Sequence, residues 1–202
     1  ANHTGVQPIN TISDATTVGQ NIVKLANPSA VTYLRVNADN TVTALSALQL
    51  REAIGIRWAQ VTGSGYTTTS ATESVVTGLS LSVEANAKYR GTAMLRVGCN
   101  NTGGVRFGFN FPAAATLAAG VTGSTTGTTV QSLLSGVFTS GTAGSTNYNT
   151  VNASSGFVVL DLYLETGVNA GTVEIIARAG TAGQTCTVFA GLSTMRLERI
   201  DA

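Results

Sequence analysis

Short runs of alternating apolar and polar residues recur along this chain from residue 56 onward. Residues 77–83 (TGLSLSV) and 157–164 (FVVLDLYL) place every second side chain in an apolar set, and residues 106–111 (RFGFNF) place three phenylalanines on one side. Because side chains of an extended strand point alternately to opposite faces, each run predicts a strand with one face in a core. Such strands favour a packing of two sheets face to face.

Eight segments have this strand pattern. They cover residues 56–62, 73–83, 88–99, 104–111, 128–139, 156–164, 172–179 and 185–199. Gly78 and Gly191 predict a bulge or a break in two of them. The Gly/Thr/Ser-rich residues 120–127 and 141–154 are expected to be exposed loops. Eight short strands without a long helix predict a mainly β fold, a jelly-roll-like β-sandwich.

Residues 1–55 have a different character. The first 20 residues show no sustained period and predict an extended N-terminal arm. Residues 31–36 and 41–45 alternate around a turn at 37–40, which predicts a β-hairpin. Ser46 and Gln49 form a capping box and Gly55 is a helix stop, so one short helix should follow. We therefore predict an arm and anchor segment over 1–55 and a β-sandwich head over 56–202.

The anchor segment should need a partner, since one hairpin and a helix of about nine residues bury too little surface to fold alone. The alternative is that it forms the first layer of the head domain. The apolar residues of this segment are the candidate assembly interface: Val6, Ile9, Ile12, Ile22, Val23, Leu25, Leu45, Leu48 and Ile54.

Few residues could carry chemistry. The single histidine, His3, is at the N-terminus, and no two carboxylates form a close pair. Asp161, Glu165 and Glu174 are the nearest candidates for a catalytic pair, and we interpret them as surface charges at strand ends. Proton transfer, nucleophilic catalysis and metal binding all need clusters of such groups. We expect no enzyme activity, no cofactor and no metal.

The net charge and the hydropathy of the chain argue against nucleic acid and membranes as partners. The net charge is +1, which provides no field for nucleic acid. No apolar run reaches 18 residues, so no membrane insertion is expected. The polar start ANHTGVQP lacks a basic region followed by an apolar one, so we expect synthesis in a cytoplasm without a signal peptide.

Several residues allow two interpretations. Cys99 and Cys186 lie in apolar strand-like runs, and buried free thiols are preferred over a disulfide, which would require neighbouring strands. Trp58 is expected to cap the sandwich rather than to be an exposed binding residue. The arginines of the central strands are read as solubility residues, with contacts between subunits as the alternative: Arg90, Arg96 and Arg106. The candidate ligand loops contain Asn100, Asn101, Thr125, Asn147, Tyr148 and Asn149.

Two stretches resemble a known family. Residues 15–55, ATTVGQNIVKLANPSAVTYLRVNADNTVTALSALQLREAIG, resemble a segment near the start of tail-fibre and head-fibre proteins of tailed bacteriophages. Residues 77–117, TGLSLSVEANAKYRGTAMLRVGCNNTGGVRFGFNFPAAATL, resemble a β-sandwich of phage virion proteins. The resemblance implies a homotrimer whose N-terminal segment is the anchor and whose sandwich is the outer head.

The resemblance implies a structural role. The expected function is a capsid decoration or head-fibre protein on the virion surface, made in the host cytoplasm and bound to a phage capsid or tail protein. The sandwich follows the anchor with no shaft, which suits this role better than a long tail fibre. The alternative is a short tail-fibre or receptor-binding protein that recognises a host surface glycan or protein through its loops.

Overall fold

The computed structural model describes residues 16–23, 31–100, 104–124, 130–138, 142–143 and 152–201. The chain divides into two compact units, Ala1–Ile54 and Gly55–Ala202, which are considered separately below. The described elements are predominantly strands in antiparallel sheets, which confirms the mainly β class predicted from the alternating runs.

The first unit contains two short helices and a hairpin. Its elements are α1 (Thr17–Val23), β1 (Tyr33–Val36), β2 (Val42–Leu45) and α2 (Ala47–Ala53). The hairpin pairs Tyr33 with Leu45 and Val36 with Val42, as the alternation predicted. Helix α2 begins with the predicted capping box, in which Gln49 N donates to Ser46 Oγ at 3.2 Å and Ser46 N donates to Gln49 Oε1 at 2.8 Å.

Helix α1 corrects the prediction that the first 20 residues are an extended arm. Thr16 acts as its N-cap, because the Thr16 hydroxyl accepts a hydrogen bond from Gly19 N at 3.2 Å. The helix is only seven residues long. A segment of two turns is too short for a helical period to emerge from the sequence. Residues 1–15 lie outside the described residues.

The second unit is built from twelve described strands. They are β3 (Ile56–Gln60), β4 (Tyr66–Thr68), β5 (Ser74–Val83), β6 (Lys88–Cys99), β7 (Val105–Asn110), β8 (Thr116–Ser124), β9 (Val130–Phe138), β10 (Thr142–Ala143), β11 (Asn152–Glu165), β12 (Gly171–Ala179), β13 (Cys186–Val188) and β14 (Thr194–Arg199). The larger sheet has the order β3-β14-β6-β11-β8-β9, with β13 beside β6 and β4 beside β13. The smaller sheet has the order β10-β7-β12-β5.

This strand order is that of a jelly roll. The strands β3, β6, β11 and β14 of the larger sheet alternate along the chain with β5, β7, β10 and β12 of the smaller sheet. The first of these eight strands pairs with the last, as two interlocked Greek keys require. The hairpin β8-β9 is inserted between β7 and β10 and widens the larger sheet beyond β11.

The inserted hairpin corrects one prediction. Residues 120–127 were expected to form a loop, but residues 120–124 belong to β8, where Gly120 pairs with Asp161 of β11. The second expected loop, 141–154, includes β10 and the start of β11. Small residues are common both in turns and in strands that lie between two close neighbours. The amino-acid composition of these segments therefore did not distinguish a strand from a loop.

One apolar core lies between the two sheets. Every second residue of β6 and β11 points inward and is buried, as the alternation predicted. The largest fully buried side chains include Tyr89, Phe109, Leu79, Leu95, Leu117, Leu160 and Leu164. Gly78 has a φ of +91° at an irregular part of the β5–β12 register, and Gly191 separates β13 from β14, as predicted for both.

Cys99 and Cys186 form a disulfide, so the preferred interpretation as free thiols is wrong. The antiparallel register of β13 against β6 places Cys186 directly opposite Cys99, with a distance of 4.2 Å between their Cα atoms. Both residues are buried. A separation of 87 residues along the chain gave no indication that these two strands are neighbours.

Candidate interaction surface

The outward face of the larger sheet exposes large apolar side chains. We call it the outer face, defined by the outward residues of β3, β14, β6, β11, β8 and β9. Its exposed apolar residues are Trp58, Met94, Val137, Phe157 and Tyr163, which expose between 40% and 73% of their surface. Isolated exposed apolar residues are ordinary, but a contiguous apolar patch marks an interaction surface.

The strand register places some of these residues beside apolar neighbours. Tyr163 lies opposite Ala118 of β8, and Ala118 lies opposite Val137 of β9. Met94 lies opposite Val159 of β11, which is half-buried. Directly opposed side chains on one sheet face are about 5 Å apart at Cβ. The outer face therefore carries two apolar rows, with Trp58 and Phe157 as separate apolar residues on the same face.

Small residues keep part of this surface flat. Gly120 and Ala118 on β8 separate the larger side chains of β11 from those of β9. No atom lies within 4 Å of the position that a Cβ on Gly120 would take. A partner surface could therefore approach the backbone of β8 closely.

Polar residues cross the outer face in a strip between β14 and β11. Arg196 lies opposite Trp58 on one side and Thr92 on the other, and Thr92 donates a hydrogen bond to Asp161 Oδ1 at 3.1 Å. Arg196 also pairs with Glu198 at 3.2 Å. The strip borders a shallow cavity of about 230 Å³, lined by Arg90, Gly91, Thr92, Arg196 and Glu198.

Arg90 differs from its neighbours in this strip. It is exposed and lies opposite both Glu198 and Tyr163, and its guanidinium makes no hydrogen bond or ion pair to any residue that the structure describes. Arg96, by comparison, lies over the ring of Phe189 at 4.9 Å from the ring centroid. Arg90 therefore remains available to a carboxylate from outside the chain.

The outward face of the smaller sheet is different. Its central carboxylate, Glu174, accepts hydrogen bonds from Ser80 at 3.2 Å and from Asn110 at 3.1 Å. Arg178 pairs with Glu73 at 3.1 Å. The apolar residue Ile176 on this face is buried rather than exposed. The exposed large apolar side chains are thus concentrated on one of the two sheets.

A cluster of ion pairs holds the ends of β3 and β14. Glu84 accepts from Arg57 at 2.5 Å and from Arg199 at 2.6 Å, and Arg199 also donates to Asp201 at 2.9 Å. The hydrogen bond from Arg199 is the main cause that holds the pKa of Asp201 below its usual 3.8, and with the smaller contribution of the backbone N–H of Lys88 it outweighs the opposing effect of desolvation. These contacts are internal, and we assign them a structural role.

The predicted anchor residues are only partly described. Ile22 is 41% exposed on α1, and Leu48 and Ile54 are 53% and 59% exposed in and after α2. Leu45, in contrast, is buried. Val6, Ile9, Ile12 and Leu25, together with the side chain of Val23, lie outside the described residues. The described anchor residues thus include both a packed residue and outward apolar residues.

The predicted ligand loops are described at one residue. Asn100 is exposed, and its side-chain oxygen accepts a hydrogen bond from Thr185 N at 3.0 Å. The backbone N–H of Asn100 in turn donates to Thr185 O at 3.0 Å, so this residue ties two strand ends together. Asn101, Thr125, Asn147, Tyr148 and Asn149 lie outside the described residues.

The outer face includes residues that the sequence interpretation placed elsewhere. Trp58 was expected to cap the sandwich, but it points outward from β3 and is 48% exposed. Met94 and Phe157 were not singled out at all. The sequence did contain a signal for their position. In each strand the alternating apolar residues define the buried face, and Met94 and Phe157 fall on the opposite face, where polar residues are expected.

The part of the chain that the structure describes contains no group of three or more His, Cys, Asp or Glu residues that could hold a metal ion. In the same part of the chain, neither helix is long and apolar enough to cross a membrane.

Comparison with known proteins gives distant results. No protein-family model and no curated protein matches the chain. Among solved structures, the chain is similar to a chain in the structure of the Gt strain of infectious bursal disease virus. The sequence identity is 10% and the TM-score is 0.21, and the match covers 88% of this chain and 50% of the viral chain. The corresponding values are 11%, 0.19, 94% and 58% for the Gx strain, and 8%, 0.18, 84% and 46% for the VP2 subviral particle of that virus.

The chain spans about half the length of these viral chains. TM-scores near 0.2 are too low to carry an argument about fold or function. The jelly-roll assignment given above therefore rests on the strand order of this chain itself.

Proposed function

We propose that this chain is a non-enzymatic structural protein of a bacteriophage particle. In this proposal it is a capsid decoration or head-fibre protein on the virion surface. Residues 1–55 attach it to a capsid or tail protein, and the jelly-roll head is displayed as a homotrimer. It uses no cofactor and contacts neither nucleic acid nor membrane.

The observation that carries the proposal is the exposed apolar surface. The outer face exposes five large apolar residues among charged side chains of both signs, and exposed apolar residues grouped on one sheet are expected of a surface that contacts other proteins. The resemblance of residues 15–55 and 77–117 to phage fibre and virion proteins favours a virion as the setting. The jelly roll is an architecture that viral capsid proteins use.

The first unit supports an attachment role. All four residues of β1 are exposed, including Tyr33, Leu34 and Val36. A two-stranded hairpin is marginally stable in water unless a further layer covers it. An attachment partner would supply this layer, and burial of apolar surface at about 25 cal/mol per Å² would then stabilise the contact.

Attachment is tested by sedimentation with particles produced without this chain. Full-length protein should cosediment with the particles, and protein lacking residues 1–25 should not. The variant Leu34→Asp should weaken binding, because it places a charge on the exposed hairpin, and Val168→Asp in an exposed turn is the matched control. Equal cosedimentation of all four proteins would contradict attachment through the first unit.

The second candidate is a short tail-fibre or receptor-binding protein. It is favoured by two exposed aromatic residues, Trp58 and Tyr163, at opposite sides of the polar strip, since such rings stack on sugars and the strip could donate hydrogen bonds. Binding to host cells that survives deletion of residues 1–25 and is lost in Trp58→Ala would support this candidate over particle decoration.

A further inference from the structure

We propose that the outer face is the surface through which copies of this chain contact one another. The inference rests on the homotrimer of the proposed function and adds the surface that forms it. The outer faces of three copies point toward a three-fold axis, and the β3–β14 side of one copy packs against the β11–β9 side of the next. Such a head-to-tail contact closes into a ring.

The size of the outer face limits how strong each contact can be. Six strands at a spacing of about 4.8 Å span about 24 Å, and the outward residues 157–165 of β11 extend over about 26 Å at about 3.3 Å per residue. The product is a patch of about 630 Å², and a ring divides it between two neighbours, so each contact uses roughly 320 Å² per partner, less than the roughly 800 Å² of a standard interface. In a closed ring, a subunit leaves only after both of its contacts break.

The two sides of the outer face differ in charge. The β6–β14 side carries Lys88, Arg90, Arg96 and Arg196, with Glu198 as its one outward carboxylate among the described residues. The β11–β9 side carries Asp161 and Glu165 and no cation among its described outward residues, and Glu165 is already paired with Lys88 of its own chain. Packing one side against the other brings the unpaired Arg90 toward a carboxylate of the neighbouring copy. Complementary charge of this kind gives direction to a contact more than affinity.

A second copy fits these features better than an unrelated protein. The outer face supplies both the cation-rich side and the acidic side, so it carries its own complement. The polar face of the smaller sheet, where Glu174 is already hydrogen-bonded by Ser80 and Asn110, offers no equivalent surface. The contact is therefore confined to one side of the sandwich.

Two valines provide a matched test. Val137 lies on the outer face and is 73% exposed, and Val168 lies in the turn after β11 and is 75% exposed. Val137→Lys and Val168→Lys make the same chemical change at the same exposure. Met94→Glu, at a 47% exposed position in β6, tests a second strand of the outer face. None of these side chains contributes to the core.

Light scattering coupled to size exclusion at about 10 µM reports the mass of each protein. We expect a trimer for the wild type and for Val168→Lys, and a monomer for Val137→Lys and Met94→Glu, because each added charge faces charges of its own sign on the neighbouring copy. Burying an unpaired charge at an interface should weaken association about 100-fold or more. Circular dichroism of each variant confirms that the sandwich is folded.

The single tryptophan provides a second readout. Trp58 lies on the outer face, so acrylamide should quench its fluorescence less at concentrations where the wild type assembles. The quenching of Val137→Lys should not depend on concentration. This measurement locates the contact, which the mass alone does not.

The outcomes separate the two proposals. A wild-type trimer that survives both outer-face substitutions overturns this surface and leaves the trimer of the proposed function standing. A wild-type monomer up to about 100 µM overturns both the surface and the trimer. A monomer that binds an immobilised saccharide array, and loses this binding in Trp58→Ala, assigns the outer face to glycan recognition and also overturns the inference.

Discussion

Gly91 provides the sharpest test of the packing, because it lies where three strands of the larger sheet meet. It is buried in β6, opposite Leu197 of β14 and Leu162 of β11. A Cβ at this position would lie 2.5 Å from the carbonyl oxygen of Arg196, 2.5 Å from Leu197 Cδ2 and 3.0 Å from Leu162 Cδ1. Gly91→Ala should therefore destabilise the sandwich.

The size of the effect follows from what can move. The two leucine methyl groups can change rotamer, but the Arg196 oxygen belongs to the backbone of the paired strand β14 and can shift only with that strand. Overpacking a core costs about 1–3 kcal/mol, and a backbone contact places this substitution at the upper end, at about 3 kcal/mol. For a domain of this size, the expected fall in Tm is about 10 °C.

Gly120→Ala is the control in the same sheet. No atom lies within 4 Å of its added Cβ, and its φ is not in the left-handed region. Its Tm should change by about 2 °C or less, since the alanine only reduces the freedom of the unfolded chain. The two variants are compared by thermal unfolding followed by circular dichroism. Equal Tm values for Gly91→Ala and Gly120→Ala would refute the close packing of β6, β11 and β14.

Three further predictions concern the same domain. Thr166 is buried, and its hydroxyl accepts a hydrogen bond from Ala87 N at 2.8 Å and lies 2.7 Å from Glu84 O. Thr166→Val should therefore lower the free energy of unfolding in urea by about 1–3 kcal/mol, whereas Thr166→Ser should stay near wild type. Equal losses in the two variants would contradict this role of the hydroxyl. The disulfide closes a long loop, so Cys99→Ala/Cys186→Ala should lower stability by about 2–4 kcal/mol, and a thiol assay of the unfolded, unreduced protein should find no free thiol. Because Asp201 has a folded pKa below its usual 3.8, its contribution is present above pH 3.8 and is lost as the pH falls through the folded pKa. The Tm difference between wild type and Asp201→Asn should therefore shrink below about pH 4, and a constant difference would exclude the Arg199 contact as its source.

Much of the fold could be predicted because the apolar pattern was strict. In β6, the alternation of buried Ala93, Leu95 and Val97 with outward residues was visible in the sequence. The hairpin, the capping box of α2 and the breaks at Gly78 and Gly191 were also predictable, since each depends on residues close together in the chain. These local signals do not depend on knowing which strands pair.

The errors arose where the deciding contacts are distant in sequence. Residues 116–124 are mostly small residues that suit a loop as well as a strand, and as β8 they pair with β11 on one side and with β9 on the other. The disulfide likewise depends on β13 pairing with β6. Helix α1 was missed for a different reason, because a helix of seven residues is too short to show a helical period in the sequence.

The alternation of apolar and polar residues predicted the core but did not predict the outer face. Alternation assigns one face of each strand to the interior and leaves the other undetermined, so an apolar residue on the outward side appears as an irregularity in a single strand. Trp58, Met94 and Phe157 lie on three different strands. The pairing of these strands in one sheet places all three on the same face. The smaller sheet obeys the same alternation, yet its outward Glu174 is held by Ser80 and Asn110. Because both sheets close the same core with their inward residues, core stability does not require apolar residues on the outward side of the larger sheet, and for this reason we propose contact with other molecules as their role.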